Sequence, residues 1–181
     1  MNYTLTKVVT GFCFLLCFAL NAHAQDSKEH DILKKDVGTW TAECKMWAAG
    51  PDADPIVSPG KEVNRMLPGG KWMVSDFEGE FGGETFNGHG VFGYDPDKKK
   101  YVGTWIDSMS PYMMKMEGTY NDETKTMTMF YTAKDESGQE AKGKTVSVTK
   151  DEKTRVFTMY MQTAESKDDF VKMMEITYHK K

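Results

Sequence analysis

Between residues 39 and 178 the sequence keeps to one period. Short runs of alternating apolar and polar residues are broken at close intervals by Gly, Pro, Asn or Asp. Successive side chains of a strand point to opposite faces, so such runs read as half-buried strands. Residues 39–47 show the pattern: Trp40, Ala42, Cys44 and Met46 alternate with Thr41, Glu43 and Lys45. Further runs lie at 61–67, 71–78, 86–94, 101–107, 113–120, 126–133, 142–149, 155–162 and 170–178. Turn chemistry joins them, as in Pro68-Gly69-Gly70, the glycine-rich 79–83 stretch and Asp95-Pro96-Asp97. Residues 50–60, with Pro51, Pro55 and Pro59, read as a loop. The count is about ten strands with short connections, which predicts an all-β fold. The expected form is an antiparallel up-and-down barrel, because closure removes exposed strand edges.

Helical spacing shows only at 26–36. Asp26 can cap that helix with Glu29 at capping-box spacing, Ile32 and Leu33 face inward, and Gly38 ends it. Two hairpins predict which faces are inner. With Asp122-Glu123 as a two-residue turn, Gly118 faces Met127, Met116 faces Met129 and Met114 faces Tyr131. The Met/Tyr face is then inner, and Lys115, Glu117, Thr119, Thr126 and Thr128 are outer. With Asp151-Glu152 as the next turn, Val146 meets Phe157 inside while Thr145, Ser147 and Thr158 face water.

Residues 1–24 have the layout of a secretory signal. Lys7 supplies positive charge, residues 8–20 an apolar run, and Ala22-His23-Ala24 a cleavage site. The apolar run is short for a bilayer span, so no stable membrane insertion is expected after processing. The expected organisation is a signal peptide at 1–24 and one barrel domain at 25–181, exported to the periplasm or beyond. Without the leader, 22 basic residues face 27 acidic ones and no stretch is strongly basic, which argues against nucleic acid as a partner. Cys13 and Cys17 leave with the leader, and Cys44 alone cannot form an internal disulfide. On an apolar face it is expected to be inert.

Gly38-Thr39-Trp40, after a short helix and opening the first strand, resembles the G-x-W signature of calycin, or lipocalin-like, barrels. The chain more specifically resembles the bacterial family catalogued as domain of unknown function 1579. The matching stretches are His30 with Val37-Gly38-Thr39-Trp40, Pro68-Gly69-Gly70-Lys71-Trp72, Gly93-Tyr94-Asp95, Thr104-Trp105-Ile106-Asp107-Ser108, Glu117-Gly118 and Met174-Glu175-Ile176-Thr177-Tyr178. The resemblance implies a barrel plugged by Gly38 and Trp40, with a basic residue of the last strand lying across the Trp. This chain departs from the expected Arg there, and Lys180 or His179 stands in its place. The resemblance implies a fold and no chemistry.

Methionines form M-x-M pairs, Met114/Met116, Met127/Met129 and Met159/Met161, each pair on one strand face. Thioethers are soft ligands suited to Cu(I), and equally fill irregular gaps in cores and adaptable cavities. His89, in Asn87-Gly88-His89-Gly90, is a candidate axial haem ligand or polar cavity contact. No histidine has a partner at structural-zinc spacing, so no metal set is assigned and any cofactor is unknown. Asp107 and Glu175 could form an acid–base pair if the fold brings them together. No nucleophile elbow, phosphate loop, dinucleotide fingerprint or metalloprotease motif is present. The expected lining of a barrel cavity is Trp72, His89, Tyr94, Trp105, Asp107, Met114, Met116, Met127, Met129 and Tyr131. Aromatics and methionines around few polar groups favour non-enzymatic binding of a small apolar or amphipathic molecule. The alternatives are a copper or haem protein, an enzyme on a lipid-like substrate, and a structural envelope protein with a filled barrel.

Overall fold

In the computed structural model the described residues are 28–134, 140–162 and 169–181. The leader expected at 1–24 and the Asp26 cap lie outside them. A short helix, α1 (Lys28–Lys35), precedes ten strands: β1 (Gly38–Met46), β2 (Ile56–Met66), β3 (Trp72–Phe81), β4 (Glu84–Asp95), β5 (Lys100–Asp107), β6 (Ser110–Asn121), β7 (Thr126–Lys134), β8 (Glu140–Thr149), β9 (Thr154–Met161) and β10 (Val171–Lys180). Each strand pairs antiparallel with its neighbours in sequence, and β1 pairs with β10 to close the barrel. The all-β up-and-down barrel read from the alternation is the observed fold. β2 is longer than expected, because Pro59 is accommodated within it opposite Glu43.

The two hairpins differ instructively from their expected registers. In β6–β7, Asn121 pairs with Thr126, Gly118 with Met129 and Met116 with Tyr131, two residues from the expected register. The turn holds four residues, with Lys125 in a left-handed conformation and the Asn121 side chain accepting from the Thr124 N–H. A slip of two preserves every face, so the Met/Tyr face is inner as expected. In β8–β9, Thr149 pairs with Arg155, Ser147 with Phe157 and Thr145 with Met159, one residue from the expected register. That slip reverses β8: Thr145, Ser147 and Thr149 line the interior, and Val146 pairs with Thr158 on the other face. Asp151 causes it by accepting from the Lys153 N–H, which enlarges the turn by one residue.

One barrel end is closed. Ile32 and Leu33 of α1 are buried there, together with Met73, Tyr101 and Met129. Acids in the first turn and lysines in the last favour the helix through its dipole. Tyr94 packs edge-on against Tyr101 at 5.3 Å and His30 at 6.4 Å. The Tyr101 hydroxyl donates to the Glu29 carbonyl at 3.2 Å, so these aromatics tie α1 across the opening. Trp40, 2 % exposed, completes the closure and donates its indole N–H to the Asp36 carbonyl at 2.8 Å. Gly38 has φ of 136°, and a Cβ there would lie 2.8 Å from Lys180 Cε. Glycine before the Trp therefore makes room for the last strand's cation to cross it.

Candidate functional site

Inside the strands is a cavity of about 390 Å³. A ten-strand barrel is wider than the roughly eight strands whose side chains just fill the interior, so such a space follows from the strand number. Nine of the chain's 14 methionines line it: Met46, Met73, Met109, Met114, Met116, Met127, Met129, Met159 and Met174. They come from opposite sides of the barrel, which spreads polarizable, flexible side chains around the whole wall. Phe77, Phe81, Phe86 and Phe157 add aromatic surface. Thr145, Ser147 and Thr149 of β8 run a stripe of hydroxyls along one side.

Of the expected lining, Trp105, Asp107, Met114, Met116, Met127 and Met129 do meet in this cavity. The other four do not line it. Trp72 is 42 % exposed and lies in an outer groove with Val91, Phe130 and Phe170. The inner positions of β3 are those of Met73, Ser75 and Phe77, so Trp72 falls on the opposite face. His89 is also on the outside, where its Nδ1 is 2.6 Å from Asp76 Oδ1 across the β3–β4 pair. The space beside it is taken from within: a Cβ at Gly88 would sit 2.1 Å from the Trp105 ring. His89 is therefore neither a cavity contact nor an axial ligand there. Tyr94 lies under α1, and Tyr131 is buried in the wall, its hydroxyl donating to the Tyr160 carbonyl at 3.3 Å.

The acid–base pair is not formed either. Asp107 sits at the open end and closes the β5–β6 turn, its Oδ1 accepting from the N–H groups of Met109 at 2.9 Å and Ser110 at 3.0 Å. Its Oδ2 accepts from the Trp105 indole at 3.2 Å. Glu175 pairs with Lys172 at 3.4 Å, and its neighbours Met174 and Ile176 take the inner positions of β10. Among the described residues no three His, Cys, Asp or Glu side chains gather as a metal site. Cys44 is buried, and burial pushes its thiol pKa up to about 11, which keeps it protonated.

The polar centre of the cavity lies at the closed end, on residues that the sequence reading passed over. Arg155 of β9 is 7 % exposed. Its Nη1 is 3.2 Å from Asp36 Oδ2, and its Nη2 donates to Glu62 Oε1 at 2.5 Å. Asn64 donates to the same Glu62 oxygen at 2.6 Å and to the Asp36 carbonyl at 3.1 Å. The guanidinium lies 4.2 Å over the Tyr178 ring and 5.1 Å from the Trp40 ring. Lys180 Nζ is 5.0 Å from Trp40, as the resemblance implied, and also donates to the Lys35 carbonyl at 3.2 Å. Two cations thus share the Trp, and the one buried against the cavity comes from the penultimate strand.

Electrostatics here follow from two carboxylates sharing one buried guanidinium, with Glu62 buried and Asp36 partly exposed. Burial raises the Asp36 carboxyl above its ordinary range, against the pull of Arg155 and with the push of Glu62. Burial disfavours the Arg155 charge, but Asp36 and Glu62 outweigh it and fix the guanidinium as a cation. Burial and Glu62 hold the Tyr178 hydroxyl protonated. Arg155 was legible in principle, since it heads the face carrying Phe157 and Met159, and an Arg on an apolar stripe needs a partner.

A family profile described as "Protein of unknown function (DUF1579)" matches residues 25–180. Among solved structures, the S-type phycobiliprotein lyase CPES from Guillardia theta superposes with a TM-score of 0.55 at 13 % identity, covering 88 % of this chain and 95 % of that one. At that identity the likeness is one of fold. A protein of unknown function from the DUF3598 family of Nostoc punctiforme covers 86 % of this chain at 6 % identity with a TM-score of 0.26, too low to bear on the argument. No curated protein matches the chain.

Proposed function

The chain belongs to the family of proteins of unknown function DUF1579, and on that premise we propose that it binds a small apolar or amphipathic molecule inside the barrel without transforming it. The carrying observation is the cavity: about 390 Å³, walled by methionines and aromatics, with a charged cluster at one end and hydroxyls along one side. Pockets of this kind, apolar with a few placed polar groups, suit organic ligands of modest size. Methionine walls adapt to ligand shape at low cost in strain. A barrel of similar fold occurs in a phycobiliprotein lyase, which is compatible with this reading and supports it no further than that.

The proposal includes export. Residues 1–24 carry the leader pattern, and residues 25–181 would form the mature barrel, working in the periplasm or outside the cell. Native mass spectrometry of protein purified from its own cells tests binding. The expected result is a fraction carrying one small molecule, released by organic extraction. Protein whose mass equals that of the polypeptide alone, before and after extraction, counts against the proposal.

A further inference from the structure

Resting on the ligand-binding reading above, we infer that the closed end of the cavity selects a ligand carrying a neutral hydroxyl, held by Arg155 Nε and Thr149, over one ending in a carboxylate or an ammonium. Arg155 is buried and lines the cavity, its two terminal nitrogens are engaged by Asp36 and Glu62, and its Nε has no hydrogen-bond partner among the described residues. A buried N–H without an acceptor is costly, so this donor favours whatever oxygen reaches it.

Chemistry narrows what that oxygen is. An ammonium only donates and cannot accept from Nε, and the guanidinium repels it. A carboxylate accepts, but it would be a third negative group around one guanidinium already matched by Asp36 and Glu62. Of the nearby lysines, Lys180 is engaged by the Lys35 carbonyl, and Lys35 itself is an exposed residue bordering the cavity, where water weakens its pull on a carboxylate. A hydroxyl both accepts and donates. Thr149 stands directly across the β8–β9 pair from Arg155 and lines the same cavity, so its oxygen can accept a hydrogen bond from the ligand's hydroxyl. From there Ser147 and Thr145 continue the hydroxyl stripe toward the open end, alongside the methionine wall that would hold an alkyl chain.

The test is displacement of the fluorescent probe N-phenyl-naphthylamine from the intact protein by decanol, decanoate and decylamine. Decanol is expected to displace it at concentrations about tenfold lower than either charged compound. An alcohol also leaves water more readily, so the deciding quantity is how the decanol-to-decanoate ratio changes in variants. Thr149→Val keeps the side-chain shape and the ion cluster, and should weaken decanol about fivefold, the equivalent of one hydrogen bond, with decanoate unchanged. Arg155→Lys keeps the charge, removes Nε and should erase the preference. A saturable probe with decanoate displacing as well as decanol overturns the inference and leaves ligand binding standing. A ratio unaltered by Thr149→Val overturns it equally. Absence of saturable probe binding removes both readings.

Discussion

The guanidinium of Arg155 lies 4.2 Å over the ring of Tyr178 while its Nη2 donates to Glu62 at 2.5 Å. One side chain thereby joins β2, β9 and β10, and through Asp36 it reaches the end of α1. Removing one partner of a buried ion pair leaves uncompensated charge, which typically costs 3–5 kcal/mol. Arg155→Met should therefore lose about 3–5 kcal/mol in urea unfolding. Adding Glu62→Gln should recover part of the loss, because the two residues are directly coupled. Equal stability of Arg155→Met and the parent protein would show that the cluster does not hold the closed end.

The shared guanidinium also sets a pH dependence. Burial raises the Asp36 carboxyl in the folded chain, while in the unfolded chain it titrates near pH 4. Between those two values the folded state holds more protons, so stability falls as pH rises through that window. The Asp36 contribution is fully present below the unfolded value and is lost as pH passes the folded one. Urea midpoints measured from about pH 4 to 7 should decline less steeply in Asp36→Asn than in the parent. A steeper decline in the variant would give Asp36 the opposite sign.

Cys44 offers a check on packing. Its side chain lies in the cluster of Trp40, Ala42, Phe77 and Ile176, and burial holds the thiol pKa at about 11. The thiolate is the reactive form, so iodoacetamide at about pH 8 should leave the folded protein unmodified and label the unfolded chain once, on the protein lacking its leader. Rapid labelling under native conditions would mean that the β1 face opens.

The fold was legible because alternation and turn residues agree along nearly the whole chain. Tyr131 and the Met114/Met116 pair fell on the expected face although their register was two residues off, since an even slip preserves faces. Thr145 and Ser147 did not, because the Asp151 turn adds a residue, and β8 carries Val146 and Val148 on its outer face. Hydrophobicity alone would turn that strand round.

The candidate site was half legible for a related reason. Composition points to the methionine wall, but His89 drew attention through its glycine neighbours, and that space belongs to the Trp105 ring. The polar end is assembled from Asp36, Glu62, Arg155 and Tyr178, which are far apart in sequence and form no motif. Val63, beside Glu62, is the more tempting inner residue of β2. Only closure of β1 on β10 brings the cluster together.

On the proposed reading the ligand sits in the barrel interior and not in the outer groove at Trp72. Titration with N-phenyl-naphthylamine tests this on the parent protein, Met127→Trp and Trp72→Ala. Met127 lines the cavity and not the groove, and Trp72 lines the groove and not the cavity. The expected result is saturable binding of one probe, weakened about tenfold or more by the larger Met127→Trp side chain and unchanged by Trp72→Ala, with both variants folded by circular dichroism. No saturable binding, or binding lost in Trp72→Ala and kept in Met127→Trp, would contradict it.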